Sequence, residues 1–192
     1  NDTSNSGGST GIRLYGSATG VYQNNLSGNY VTGYNSGIVL DDNFTNNYVY
    51  NNTIYNISDQ SSGTAIASKF GSNYTYIINN TINLSRNGIG YNSNHGLIKG
   101  NRIFDINHSY IDTSFGLNNV GNSDNITILD NQLISTLSLS AKGIYVTNNT
   151  NLNISNNIIT NMFDIPIQIN DIGSINVSIT NNTISANSFY DI

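Results

Sequence analysis

The chain has 192 residues, with 38 Asn, 28 Ile, 24 Ser, 18 Gly and 17 Thr, against 17 charged residues that include no Glu. A net charge of -5 from six Lys+Arg and eleven Asp leaves no basic stripe to neutralise phosphates, so nucleic-acid binding is excluded. No run of 18 apolar residues offers a membrane span, the lack of Cys excludes disulfides and thiolate zinc sites, and 13 Tyr with one Pro are unlike a disordered chain.

The prevailing residues are poor helix formers, which predicts an all-β fold. In chain order, seven copies of a short word recur: Gly28-Asn29-Tyr30-Val31, Asn51-Asn52-Thr53-Ile54, Asn79-Asn80-Thr81-Ile82, Gly100-Asn101-Arg102-Ile103, Asp130-Asn131-Gln132-Leu133, Asn156-Asn157-Ile158-Ile159 and Asn181-Asn182-Thr183-Ile184. Taking Asn29, Asn52, Asn80, Asn101, Asn131, Asn157 and Asn182 as anchors, the spacing varies from 21 to 30 residues. Two residues after every anchor stands Val, Ile or Leu. Three before it stand Leu26, Val49, Ile77, Ile98, Ile128, Ile154 and Ile179, a period-2 pattern of half-buried strands. The residue before each anchor is Asn, Gly or Asp, types that tolerate a left-handed turn.

Between anchors a second register repeats: Gly11-Ile12, Gly37-Ile38, Gly88-Ile89, Gly116-Leu117 and Gly143-Ile144, with Gly63 and Pro166-Ile167 in the remaining places. Three short strands per coil, with length variation confined to loops, predict one right-handed parallel β-helix domain over 1–192. About seven coils would make a rod about 34 Å long. The anchor column is expected to form an amide hydrogen-bond ladder with a structural role. No capping helix is visible beyond the last coil at Ser188-Phe189-Tyr190-Asp191-Ile192, and the chain starts at Asn1. We therefore expect an excised or mature segment of a longer surface protein, or a unit that stacks end to end.

The words Ile78-Asn79-Asn80-Thr81-Ile82, Ile154-Ser155-Asn156-Asn157-Ile158-Ile159 and Ile179-Thr180-Asn181-Asn182-Thr183-Ile184 resemble those of adhesin-like and surface-layer-associated parallel β-helix proteins of methanogenic archaea. The resemblance runs from about Gly11 to Ile184. It implies a non-enzymatic, extracellular, glycosylated cell-surface protein, and it supplies no catalytic residues to carry over.

Fourteen Asn-x-Ser/Thr sequons occur. Asn43, Asn56, Asn73, Asn107, Asn125, Asn148 and Asn153 are the candidate glycosylation sites, most of them expected in variable loops. Asn51, Asn79 and Asn181, beside the ladder, are expected to be shielded.

Carboxylates frame the alternative, a polysaccharide-active hydrolase or lyase, or a carbohydrate-binding β-helix. Hydrolysis needs two carboxyl groups flanking the glycosidic bond, and the candidates are Asp41, Asp42 and Asp105. Only Asp41-Asp42 and a loose Asn94-His95-Gly96 approach the polygalacturonase-like pattern. His95 and His108 read as loop residues, since no second His or Cys lies at metal-ligand spacing. No Gly-Gly-x-Gly-x-Asp word implies calcium, and no regular Thr column implies ice binding. No metal or cofactor is expected.

Outward positions four and two residues before the anchors carry Tyr48, Tyr50, Tyr76, Ile78 and Leu97, with Leu129 beyond them. This face is expected to mediate self-association, or contact with other cell-surface proteins or glycans.

Overall fold

A computed structural model describes residues 9–15, 23–41, 45–57, 63–69, 72–113, 123–136, 141–161, 164–170 and 175–185. Asp42, Asn43, Gly116-Leu117 and the segment Ser188–Ile192 lie outside the described residues. Among those described there is no helix, and every strand pairing is parallel. The fold is an all-β parallel solenoid with three faces.

The tyrosine face precedes each anchor and stacks Asn24–Ser27, Asn47–Tyr50, Thr75–Ile78, Gly96–Lys99, Ser123–Leu129, Asn149–Ser155 and Ile175–Thr180. The anchor face follows each anchor: Tyr30–Thr32, Thr53–Tyr55, Gln132–Ile134, Ile158–Thr160 and Thr183–Ser185. The glycine face holds Thr10–Leu14, Ser36–Leu40, Thr64–Ser68, Lys142–Thr147 and Ile167–Asn170. The long strands Thr81–Tyr91 and Arg102–Asp112 turn a corner and serve both of the last two faces. About five turns are enclosed by a neighbour on both sides, slightly fewer than the seven coils read from the anchors. The first and last rungs each leave one edge unpaired among the described residues, and this accounts for the difference.

Each face contributes one inward column of branched aliphatic side chains. Val49, Ile77, Ile98, Ile128 and Ile154 line the tyrosine face, Ile54, Ile82, Ile103, Leu133 and Ile159 the anchor face, and Ile38, Ile66, Ile89, Ile111 and Ile144 the glycine face. β-Branched residues suit such strands because their restricted χ1 packs regularly on a pleated surface. Burying each contributes about 1.5–3 kcal/mol. Burial weakens toward the last rung, where Ile179 is 47% and Ile184 49% exposed.

Three corners close each coil, and each is a column of left-handed residues. Immediately before the anchors, Gly28, Asn51, Asn79, Gly100, Asp130, Asn156 and Asn181 all have positive φ. Six residues before the anchors the same holds for Asn46, Tyr74, His95, Asn125, Asn151 and Asn176. Four after them it holds for Gly33, Asn56, Leu84, Asp105 and Asn161. Asn adopts this region at lower cost than other non-Gly residues, because its short amide bonds locally to the backbone. The Gly-Ile register has a separate cause. A Cβ at Gly37 would sit 2.3 Å from Ala65 O, and one at Gly143 2.3 Å from Pro166 O. The next coil's carbonyl occupies the place of a side chain.

Candidate functional site

The anchors form a buried amide ladder that runs in one direction. Asn52 donates its backbone N–H (3.0 Å) and Nδ2–H (3.0 Å) to Asn80 Oδ1. Asn80 repeats this to Asn101, Asn101 to Asn131, and Asn131 to Asn157. The second amide hydrogen reaches back to a carbonyl of the preceding coil: Asn52 to Leu26 O, Asn80 to Val49 O, Asn101 to Ile77 O. Every polar atom of these buried amides is thereby matched, which is the condition for burying them at low cost. A ladder saturated in this way has no free donor or acceptor for a ligand.

The carboxylates bridge coils as well. Asp41 is 3% exposed and lies between Arg13 of the preceding coil and Lys69 of the following one, with Lys69 Nζ at 2.7 Å. Burial works against its ionisation, but the hydrogen bonds and charges of Lys69 and Arg13 prevail and hold the carboxyl below its usual range. Asp105 accepts the backbone N–H (2.7 Å) and hydroxyl (2.8 Å) of Thr136 in the next coil. Asp124 accepts from Thr150 Oγ1 at 2.6 Å and Asn151 Nδ2 at 2.9 Å. Asp130 lies 3.8 Å from Lys99.

Of the three candidate catalytic carboxylates, Asp42 lies outside the described residues. The other two are not brought together. Asp41 sits at the corner between glycine and tyrosine faces, and Asp105 at the corner between anchor and glycine faces. Their glycine-face strands are three pairings apart, through Ser36–Leu40, Thr64–Ser68, Thr81–Tyr91 and Arg102–Asp112. At ordinary strand spacing that is about 14 Å along the axis. Paired glycosidase carboxylates need about 5–9.5 Å.

His108 is not in a loop; it lies within Arg102–Asp112 beside the register shift between Ile106 and Ser109. Its Nδ1 faces Asn87 Oδ1 at 3.1 Å and Ser109 Oγ at 2.9 Å. Desolvation, then Arg86, lower its pKa, with Lys142 adding to the effect and Asp112 opposing it. Ser109 is fully buried, so this Ser–His contact presents no nucleophile to solvent. Among the described residues no group of three or more His or Asp is placed to hold a metal ion.

On the tyrosine face the outward residues fall in register. Tyr48 pairs with Asn25 and Tyr76, and Tyr76 with Leu97; Tyr50 pairs with Ile78, and Ile78 with Lys99. All five candidate contact residues are half-buried. The Tyr48 and Tyr76 rings stack with centroids 4.8 Å apart and planes 17° apart. Each ring therefore covers one face of the other, which reduces the flat area left for a sugar ring. Tyr74 and His95 extend the patch at the adjoining corner, stacked at 4.8 Å and 14°. Their shared place six residues before an anchor is the signal that would have found them.

Among the sequons, Asn56, Asn107 and Asn125 are exposed. Asn107 lies in a strand rather than the expected loop, and Asn125 and Asn153 also lie in strands, Asn153 half-buried on the tyrosine face. Asn73 accepts the Asn94 backbone N–H at 3.2 Å, and Asn148 buries an unpartnered Oδ1. Asn51, Asn79 and Asn181 are exposed, contrary to the expected shielding, and so are Thr53, Thr81 and Thr183 of the same sequons. The left-handed turn directs these side chains outward while the anchor between them points in.

Comparison with known proteins gives no matching family model, no matching curated protein and no matching solved structure. No helix among the described residues is long and apolar enough to cross a membrane.

Proposed function

We propose that this chain is a non-enzymatic, extracellular cell-surface rod, a structural or adhesin-like β-helix that carries N-linked glycans and self-associates. The observation that supports this reading best is the use of its carboxylates. Asp41, Asp105, Asp124 and Asp130 each tie one coil to another, and Asp41 and Asp105 lie too far apart to act on one glycosidic bond. The saturated ladder and the continuous aliphatic core suit a part whose task is to hold a fixed shape. Contact with partners is assigned to the tyrosine face, through Tyr48, Tyr50, Tyr76, Ile78 and Leu97.

Two measurements on protein from its natural source test this. Protease treatment of intact cells should remove it, and native mass spectrometry should show mass above that of the bare chain in sugar-sized increments. An unmodified protein that survives shaving of intact cells contradicts the proposal.

A further inference from the structure

The fold sorts the fourteen sequons by whether their two working side chains can be reached. Glycan transfer needs the Asn amide nitrogen and the hydroxyl two residues on. In Asn107-His108-Ser109 the hydroxyl residue is completely buried. The same is true of Asn73-Tyr74-Thr75, where the Thr75 hydroxyl donates to Ser72 O at 3.0 Å. In Asn83-Leu84-Ser85 the Asn83 Oδ1 is buried, and the Ser85 hydroxyl donates to Asn87 O at 2.7 Å. In Asn148-Asn149-Thr150 the Asn148 Oδ1 is buried, and the Thr150 hydroxyl donates to Asp124 at 2.6 Å. Ser155, which completes the Asn153 sequon, is buried, and the Asn125 amide is engaged with His95 at 3.3 Å.

The corner before the anchors is built differently. In Asn51-Asn52-Thr53 and Asn79-Asn80-Thr81 the middle residue is a ladder anchor and points inward, so the first and third residues both face solvent. Among the sequons described whole and flanked by a coil on either side, only these two expose both residues. A φ of 54° at Asn51 and at Asn79 sets each amide on a convex edge, and neither side chain makes a hydrogen bond among the described residues. Asn79 has further room. The next coil carries Gly100 at this corner, and a Cβ there would lie 2.3 Å from Asn79 Oδ1. We infer that Asn51 and Asn79 are the N-glycosylation sites of the folded rod, accepting an oligosaccharide from a phosphate-activated donor. This rests on the glycoprotein reading and deepens it by naming the sites. In the transfer the amide nitrogen bonds to the anomeric carbon of the donor and gives up one proton. The bond from that carbon to the phosphate oxygen breaks, and the phosphate leaves with the electron pair. A bulky glycan on this edge leaves the ladder and both adjoining sheets in place, whereas one at Asn83 or Asn148 would expel a buried amide.

Glycopeptide sequencing of the protein from its natural source reads occupancy at each sequon. Asn51 and Asn79 should carry glycan, and Asn73, Asn83, Asn107, Asn148 and Asn153 should be bare. In the same host, Thr81→Val should remove the Asn79 glycan and Thr81→Ser should retain it. Thr81 is exposed in a strand, so both variants should keep the far-ultraviolet spectrum of the wild type. Glycans at Asn107 or Asn148 with Asn51 and Asn79 bare overturn this inference and leave the glycoprotein reading standing. Occupancy of both sets overturns burial as the selector. Glycan that persists on Asn79 in Thr81→Val overturns the role of the exposed hydroxyl. A chain with no glycan at any sequon overturns the glycoprotein reading itself.

Discussion

Asn80 gives both its backbone N–H and an amide hydrogen to a single oxygen, Oδ1 of Asn101, at 2.9 and 3.0 Å. Both residues are completely buried, so the strength of this contact is a matter of desolvation as much as of bonding. Asn101→Ala would leave two donors of Asn80 without partners and take the amide hydrogen bond away from the carbonyl of Ile77. At about 1–3 kcal/mol for each unmatched buried group, less some relaxation and water entry, a loss of about 3–5 kcal/mol is expected in denaturant unfolding. Asn29→Ala, at the half-buried end of the ladder, should cost about 1–2 kcal/mol. Equal costs at the two positions would contradict a ladder that works by burial.

The glycines supply a paired comparison. Gly37→Ala places a methyl 2.3 Å from a backbone carbonyl and 2.9 Å from Ile54, neither of which moves without shifting the next coil. A loss of about 2–4 kcal/mol is expected. Gly28 has φ +68° and open space around its would-be Cβ, and Asn51, Asn79, Asn156 and Asn181 take the same place in other coils. Gly28→Asn should therefore change stability by less than about 1 kcal/mol. Thermal midpoints of both variants check the contrast.

Two titrations act in separate pH windows. The Asp41 carboxyl is held below its ordinary value of 3.8, so its pairing stabilises the fold fully above that value and is lost as pH falls through the lower folded value. The gap between wild type and Asp41→Asn should be widest near neutrality and close in strong acid. His108 is shifted down from 6.5 by burial and by Arg86, so the folded state resists its protonation. Stability should be complete above 6.5 and decline as pH falls below it, a slope that His108→Gln should remove. Denaturant midpoints from pH 3 to pH 8 give both curves.

One corner of the three was legible in the sequence and two were not, for a physical reason. The column before the anchors is Asn, Gly or Asp in every coil, next to an invariant neighbour, and so announces itself. The other two columns use the same left-handed geometry but admit Tyr74, His95 and Leu84. At these sites the hydrogen bonds and ring stacking between coils offset the cost of φ > 0 in residues that rarely adopt it. The inward columns beside the anchors were readable from period-2 alternation, but the glycine column was misplaced in one coil: the sequence offered Gly116-Leu117, whereas Ile111 is the residue that pairs with Ile89 and Ile144. The pairing of Asp41 with Arg13 and Lys69 was not readable, since partners 28 residues away on either side meet only once the loop lengths are resolved into coils. Ten of the 38 Asn residues stand at the three left-handed corners, beside the seven of the ladder.

The aromatic stack gives a fourth test. Tyr48→Ala and Tyr76→Ala together remove a stacked pair on a half-buried face. If the tyrosine face mediates contact, the double variant should lose lateral association or glycan binding at least tenfold while unfolding at nearly the wild-type denaturant concentration. Unchanged binding and assembly would remove this face from the account.

The central functional claim, that the rod does no chemistry, is tested most directly by reducing-end and unsaturated-product assays over a panel of neutral and acidic polysaccharides. Wild type, Asp41→Asn and Asp105→Asn should all remain at the background of buffer. Product release by the wild type that disappears in Asp105→Asn or Asp41→Asn would contradict it.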